Sequence, residues 1–284
     1  MPTVLLATCR AKPDLTPSDA VLAAALRARG AEVGAVPWDR LSPGAIGGAT
    51  LCLRSTWDYH LRAAEFRRWV EQVGATAGAL WNPAATVVAN IDKAYLRVLA
   101  ARGVSIPPTI WVEPGEDLDP AALVREAGWE RGVLKPRISA TAHGTVLVPA
   151  GAPVDPELVA PTRAAGGLLQ AFMPEVVERG EVSLVFIVGA CTHAVRKRAR
   201  TGDFRVQHDF GGTATREAVA PGLERFGRQV LEASGATWLY ARVDLVETAD
   251  GPVLMELELI EPDLFLDQAP EAAERLAEGL RGAD

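Results

Sequence analysis

Two stretches near the end of the chain, Val243-Asp244-Leu245 and Leu254-Met255-Glu256-Leu257-Glu258-Leu259-Ile260-Glu261-Pro262, constrain the fold more than any other part of the sequence. Side chains alternate direction along a strand, so Glu256 and Glu258 leave the same face of theirs. Asp244 stands among apolar neighbours, and the Asp250-Gly251 turn between the stretches closes a hairpin. Three carboxylates gathered on one patch of an apolar sheet repel one another, and buried carboxylates need partners. Hard oxygen clusters of this kind suit Mg²⁺. The competing reading is an ordinary solvent-facing strand face, against which stand the apolar residues flanking each acid.

Length and charge narrow the alternatives. The 284 residues can bury a large core and read as more than one packed unit. No apolar run is long enough to span a bilayer. The net charge of −7, with both signs mixed along the chain, argues against nucleic acid as a partner. Met1-Pro2-Thr3 leads straight into apolar residues without the pattern of a signal peptide. Cys9, Cys52 and Cys191 are odd in number and far apart, which fits reduced thiols in a cytoplasmic protein. His60, His143, His193 and His208 form no close ligand pair.

Residues 4–7 read as a buried strand, Ser18-Asp19 as the cap of a helix over 20–29 ended by Gly30, and residues 32–37 as a second strand. This β-α-β opening lacks the glycine pattern of a dinucleotide fold. A third strand over 51–54 delivers Arg54-Ser55-Thr56-Trp57-Asp58-Tyr59-His60 at its carboxyl end, where open parallel sheets bind ligands. A helix over 63–72 follows, and Trp81-Asn82-Pro83 breaks the pattern. Beyond lie a helix from Asp92-Lys93 to Ala101, an extended stretch over 104–112, a helix over 118–127 and a strand over 133–136. The small polar loop Ser139-Ala140-Thr141-Ala142-His143-Gly144-Thr145, a strand over 146–148, and a Pro- and Gly-rich connection over 149–167 come next. Strands over 182–188 and 192–197, a helix over 222–234, the acidic hairpin and a helix over 270–279 complete the chain. The parsing gives units of 1–88, 89–172 and 173–284.

Lys135 stands at the end of an apolar strand, a position where lysine pairs with an anion. Lys93, near a helix start, reads alone as surface decoration. The cluster from Arg196 to Arg205 reads either as a solvated loop or as the cationic half of a metal-phosphate site whose acidic half is the hairpin.

The order of these parts resembles the ATP-grasp superfamily, in a ligase branch similar to ribosomal protein S6 modification ligases and glutathione synthetase-like proteins. The matching pieces run from about residue 90 to 262: Asp92-Lys93 with Gly103-Val104-Ser105-Ile106-Pro107, Leu134-Lys135-Pro136, Gln170-Ala171-Phe172-Met173, Arg179-Gly180-Glu181-Val182-Ser183, Gly202-Asp203-Phe204-Arg205 with Gly211-Gly212, and Val243-Asp244 with Glu256-Leu257-Glu258. The phrases Arg54-Ser55-Thr56-Trp57-Asp58-Tyr59 and Glu256 to Pro262 look like a smaller subgroup that includes the cyclo-ligase of D-cycloserine biosynthesis.

The resemblance implies an α/β ATP-grasp fold: a Rossmann-like N-terminal domain, a small central α+β subdomain and a C-terminal antiparallel-sheet subdomain. It further implies that Lys93 and Lys135 hold ATP phosphates and that the backbone of Gln170, Ala171, Phe172 and Met173 reads adenine. Glu181, or alternatively Glu178, would take the ribose, and Ser139, His143 and Gly144 would belong to a flap over the phosphates. Lys197 and Arg205 would contact the terminal phosphates and the acyl phosphate. Asp244, Glu256 and Glu258 would hold one or two Mg²⁺, with Mn²⁺ as a substitute. Arg54, Ser55, Thr56, Trp57 and Tyr59 would face the acceptor, or else pack between domains.

The family often carries Asn where this chain has Glu258, which either tightens metal binding or faces a cation. Ala171 replaces the usual hinge acid. The implied reaction is an ADP-forming joining of a small carboxylate to an amine through an acyl phosphate, in a protein that by family analogy pairs as a homodimer. A small-molecule kinase, a ligase adding amino acids to a peptide or protein, and a non-catalytic nucleotide-binding protein are the alternatives.

Overall fold

The apolar run at the start of the chain becomes the middle of a parallel sheet. The computed structural model describes residues 2–281, in which β1 (Thr3–Thr8), α1 (Pro17–Ala28), β2 (Glu32–Pro37), β3 (Thr50–Leu53), α2 (Ala63–Thr76), β4 (Ala79–Trp81) and α3 (Ala84–Asn90) form the first unit. Its strands run parallel in the order β2-β1-β3-β4. The two central strands are apolar on both faces, as helix-covered strands must be: Leu6, Ala7, Leu51, Cys52 and Leu53 are wholly buried. The cap of α1 is Thr16, whose Oγ1 accepts the Asp19 N–H at 3.1 Å ahead of Pro17 in the first turn, rather than the expected Ser18-Asp19. Ser18 and Asp19 point inward instead, Ser18 accepting the Leu266 N–H and Asp19 pairing with Arg54.

The second unit comprises α4 (Tyr95–Ala101), β5 (Thr109–Val112), α5 (Pro120–Glu126), β6 (Arg131–Pro136), β7 (Val146–Pro149), α6 (Pro156–Ala165) and β8 (Gly167–Ala171). Its sheet is antiparallel in the order β5-β8-β6-β7. The Pro- and Gly-rich stretch over 149–167, expected as a connection, contains α6 with Pro161 inside it. A Pro-bearing helix is nevertheless started by Asp155, which accepts the Glu157 N–H, and by Pro156 at the first position.

After the short α7 (Glu175–Glu178), the third unit is built from β9 (Glu181–Ile187), β10 (Ala190–Arg198), β11 (Thr213–Glu217), α8 (Pro221–Ser234), β12 (Tyr240–Thr248), β13 (Gly251–Glu258) and α9 (Pro270–Arg281). The five strands are antiparallel in the order β11-β10-β9-β12-β13. One face carries Leu184, Phe186, Val243, Leu245 and Leu257 against Leu223, Phe226 and Val230 of α8. A Cβ at Gly227 would come within 2.8 Å of the Phe186 ring, so only glycine lets the helix lie this close. Alternation leaves the opposite face of the same strands for polar side chains.

The outer edge of β13 is sealed by side chains from elsewhere, which answers the unpaired backbone of an edge strand. Asn90 donates to the Leu257 carbonyl and accepts the Leu259 N–H, and the Tyr95 hydroxyl accepts the Leu257 N–H. Asn82, at the end of the first sheet, donates to the Tyr240 and Leu259 carbonyls at 2.8 Å and accepts the Leu239 N–H at 2.7 Å, wholly buried. Asn82→Ala strands several buried backbone groups and should lower the unfolding free energy by about 3 kcal/mol. Denaturant titration reads the change; a loss below about 1 kcal/mol would show that these groups find other partners.

Candidate active site

The polar face of the third sheet concentrates charge because register places it there. Glu181 lies opposite Lys197, Ser183 opposite Asp244, Asp244 opposite Glu256, and Arg242 opposite Glu258. Lys197 Nζ sits 2.5 Å from Glu181 Oε1 and 2.8 Å from Asp244 Oδ2. Arg242 grips both Asp244 oxygens at 3.0 Å and Glu258 Oε1 at 2.5 Å, and Ser183 donates to Asp244 Oδ1 at 2.6 Å. Lys93 Nζ reaches Glu256 Oε1 at 2.5 Å and the Ser139 carbonyl at 3.1 Å. The acids therefore do meet, but interleaved with cations, and Glu258 does face one. Arg242 was overlooked in the sequence, although it precedes Asp244 by two residues and so had to share its face.

Electrostatics follow from this lattice. Burial would raise the Asp244 carboxyl, yet Arg242 and Lys197 outweigh it and hold Asp244 well below the usual carboxylate range. Glu256 is likewise held down by Lys93 against burial. Glu258 is pushed up to about 7, first by burial and then by Asp244 and Glu256, with Arg242 opposing. Glu181 is raised by burial despite Lys197. Glu261 is pushed up to about 8 by burial and by Glu258 and Glu256.

Over this face lies a cavity of about 780 Å³, roofed by the second sheet and closed at one end by the first. Lys135 of β6 enters it with Nζ bound to Gln170 Oε1 at 2.9 Å, and Gln170 Nε2 donates to Thr109 Oγ1. Among the described residues no carboxylate lies within ion-pairing distance of Lys135. Burial, aided by Lys93, lowers its pKa. Gln170, Ala171, Phe172 and Met173 all line the cavity. The Ala171 and Phe172 N–H groups, however, are already donated to the Pro108 and Arg131 carbonyls, so they do not supply the donors expected of this segment. Arg205 lines the opposite wall, held by both oxygens of Asp203 and stacked 3.7 Å from the Phe210 ring centre.

Several expected residues lie elsewhere. Glu178 is exposed on α7 and outside the cavity, whereas Glu181 lines it. Of the 139–145 loop, Ser139, Ala140, Thr141, Ala142 and Thr145 line the cavity, but His143, tilted against His60 with ring centres 5.0 Å apart, and Gly144 do not. Gly144 has a structural reason: φ is +69°, and a Cβ would approach Pro136 Cγ to 2.8 Å. Arg54, Ser55 and Thr56 are buried beneath the first sheet's end and do not reach the cavity. Arg54 spends its charge on Asp19 at 2.7 Å and on the Pro262 carbonyl at 2.8 Å, so it is not available to an acceptor carboxylate. Trp57 and Tyr59 do line the cavity; the Trp57 indole donates to the Glu261 carbonyl, and Lys12 Nζ lies 4.4 Å from its ring centre.

The donor set fits a hard divalent cation in chemistry. Glu256 and Glu258 each commit only Oε1 to a cation, and both side chains are partly open to the cavity. No group of three or more metal-ligating side chains stands assembled among the described residues, because Lys93, Lys197 and Arg242 separate the acids.

Glu261 makes stability depend on pH. Its folded pKa of about 8 exceeds the ordinary 4.5, so between those values the folded state keeps a proton that the unfolded chain releases. The contribution of Glu261 is full below about pH 4.5 and is lost as pH rises towards 8, with Glu258 acting in the same direction and the lowered pKa values of half-buried His60 and buried His193 acting in the opposite one. Thermal melts from pH 5 to 8.5 in chelator should therefore lose more with rising pH in wild type than in Glu261→Gln; identical slopes would contradict the assignment.

Residues 4–82 match the family model described as the N-terminal domain of the D-cycloserine synthetase DcsG. The cycloserine biosynthesis protein DcsG of Streptomyces lavendulae is 31% identical over 274 residues, which cover 88% of this chain and 85% of that protein. The crystal structure of D-cycloserine synthetase DcsG is similar with a TM-score of 0.81 at 29% identity, covering 99% of this chain and 100% of the other. The ATP-grasp ligase PsnB, complexed with a phosphomimetic variant of its minimal precursor, Mg and ADP, has a TM-score of 0.63 at 16% identity, covering 100% and 99%; that likeness is one of fold. No helix among the described residues is long and apolar enough to cross a membrane.

Proposed function

Because this chain belongs to the ATP-grasp ligases, in their DcsG-like branch, and has their α/β fold, we propose that it joins a small amino-acid-like carboxylate to a nitrogen nucleophile through an acyl phosphate, releasing ADP, with ring closure within one substrate as the favoured form. The observation that supports this most is the cavity in which an uncompensated Lys135 faces a lattice of acids and cations on a single sheet face.

In this reading Lys93 and Lys135 hold the phosphates of ATP from two sides, and residues 170–173 border the adenine. Glu181 takes the ribose. Glu256 and Glu258 would hold one or two Mg²⁺, with Mn²⁺ as a substitute, and Asp244 would join them only by giving up part of its hold on Arg242, Lys197 or Ser183; bound there, the ion would supply charge neutralisation for phosphoryl transfer. Lys197 and Arg205 sit where negative charge develops on the transferring group. The substrate carboxylate oxygen attacks the γ-phosphorus and ADP leaves. The nitrogen then attacks the acyl carbon and inorganic phosphate departs. The protein contributes alignment and charge rather than a covalent nucleophile. Ser139, Ala140, Thr141, Ala142 and Thr145 shield the acyl phosphate from water, and Trp57 and Tyr59 wall the acceptor end.

An ADP-release screen over amino acids and their O-amino, ureido and dipeptide derivatives, with product masses determined, tests the substrate class. Hydroxylamine added to the active mixture should give a hydroxamate. A phosphorylated product that is stable to hydroxylamine would establish a kinase and sink the ligase reading.

A further inference from the structure

We propose that Glu261 is the general base of the second half-reaction, accepting the proton that the nitrogen nucleophile loses as it attacks the acyl phosphate. The inference rests on the ligase reading above. What singles Glu261 out is its lack of a partner. The four acids of the sheet face each have a cation beside them: Glu181 and Asp244 have Lys197, Glu256 has Lys93, and Glu258 has Arg242. Glu261 is only 8% exposed and lines the same cavity, yet among the described residues no lysine, arginine or histidine lies within 4 Å of its carboxylate, and no other residue hydrogen-bonds to it. A buried, unpaired carboxyl is a cost to folding. An acid kept in that state at the wall of a reaction cavity has a chemical use that explains the cost.

Its place in the fold fits the task. Glu261 follows β13 directly into the junction with the first sheet, where the Trp57 indole holds its carbonyl at 3.0 Å. That end is walled by Trp57 and Tyr59, whereas Lys135 and Gln170 enter from the second sheet. The groups that bear on its charge are Glu256 and Glu258 of β13, Lys93 ahead of α4, Tyr59 from the turn after β3, and Tyr240 of β12. Tyr59 and Tyr240 are held well above their ordinary range by burial, so neither ionises near neutrality, and Lys93 is committed to Glu256. Asp263, His208, Asp209 and Asp267 also line the cavity but are open to water, so Glu261 is the remaining buried proton acceptor, with burial holding its carboxyl near the pH at which a base of this kind works best.

The step balances within the ligase reaction. A C–N bond forms as the nitrogen lone pair adds to the acyl carbon, and the C–O bond to phosphate breaks with its electron pair leaving on phosphate. The proton from nitrogen passes to the Glu261 carboxylate and returns to solvent after product leaves.

The test compares wild type, Glu261→Gln and Glu261→Asp as full chains with Mg-ATP and the substrate identified by the ADP screen, following hydroxamate and joined product separately. Hydroxylamine attacks the acyl phosphate as the neutral amine and does not need the enzyme's base. Glu261→Gln should therefore lose about 10²–10⁴-fold in joined product while hydroxamate formation stays within about threefold of wild type. The acid limb of the wild-type kcat profile should vanish in Glu261→Gln and persist, with lower turnover, in Glu261→Asp. Equal losses of hydroxamate and product, a rise in KM at unchanged kcat, or an unaltered product rate would each overturn the role, the second by making Glu261 a recognition group for the amine. Absence of hydroxamate with wild type is a separate result, because it removes the ligase reading on which the step depends.

Discussion

Replacing Lys135 with alanine is expected to reduce ADP release by about 10³-fold or more while the melting temperature moves by only a few degrees. The two parts of this expectation have one source. Lys93 and Lys197 are already balanced by Glu256, Glu181 and Asp244, so their charges are structural as well as functional. Lys135 has only a neutral amide as its partner, and burial lowers its pKa, which marks a cation kept ready for an anion that the protein itself does not provide. Its removal takes away one hydrogen bond to Gln170, which keeps its link to Thr109. Lys197→Ala should differ in kind, losing activity and stability together, since Glu181 and Asp244 would both lose their nearest ammonium group. A coupled ADP assay beside a thermal melt separates the two classes. Undiminished turnover in Lys135→Ala would remove the phosphate role.

The largest stability loss should come from Arg54, which lies outside the cavity altogether. Arg54→Met leaves the Asp19 carboxylate buried without its counter-ion and the Pro262 carbonyl without its donor, a loss of about 3–5 kcal/mol. For a chain of this size that corresponds to roughly 10 °C in melting temperature. Replacing both partners, as in Arg54→Met with Asp19→Leu, should recover much of the loss, because apolar pairs substitute well for buried ion pairs. If the single variant melts with wild type, the pair is idle. If the double variant is no better than the single, the Pro262 contact and the stacking over Tyr240 at 5.3 Å matter more than the charges.

How much of this was legible in the sequence divides along a physical line. Periodicity along one strand fixed the shared face of Glu256 and Glu258, and the bounds of β2 were read directly, because both depend on neighbours in the chain. Pairing across strands was not readable, so the opposition of Glu181 to Lys197 and of Arg242 to Glu258 stayed hidden, and the acids looked more repulsive than they are. Which of the two readings of the Arg54 loop holds for which residue stayed open for the same reason: Trp57 and Tyr59 line the cavity, and Arg54 packs within the fold. A strand end in a parallel sheet is a ligand position on average, but here Asp19 and Pro262, 35 and 208 residues away, claim the guanidinium first. Helix α6 hid behind Pro161, and β11, half polar and on a sheet edge, has no apolar alternation to betray it. The 139–145 loop was correctly placed at the cavity, yet which of its seven residues face inward depends on left-handed turns at Thr141 and Ala142 that composition does not announce.

The asparagine seam along β13 decides which part of the molecule can behave as a jaw. With Asn82 and Asn90 stitched into the backbone at Leu239, Leu257 and Leu259, the first and third sheets move as a single anvil, and the acids riding on β12 and β13 keep a fixed distance from Trp57 and Tyr59. The β5-β8-β6-β7 sheet meets that anvil through the Lys93 and Asp92 contacts to the 136–139 turn and through Leu168 and Trp111, which pack with the apolar face of the third sheet. If any part opens to admit nucleotide, that sheet is the one not stitched into the asparagine seam, and a crosslink that pins it is expected to slow turnover without altering a single group that touches the reactants.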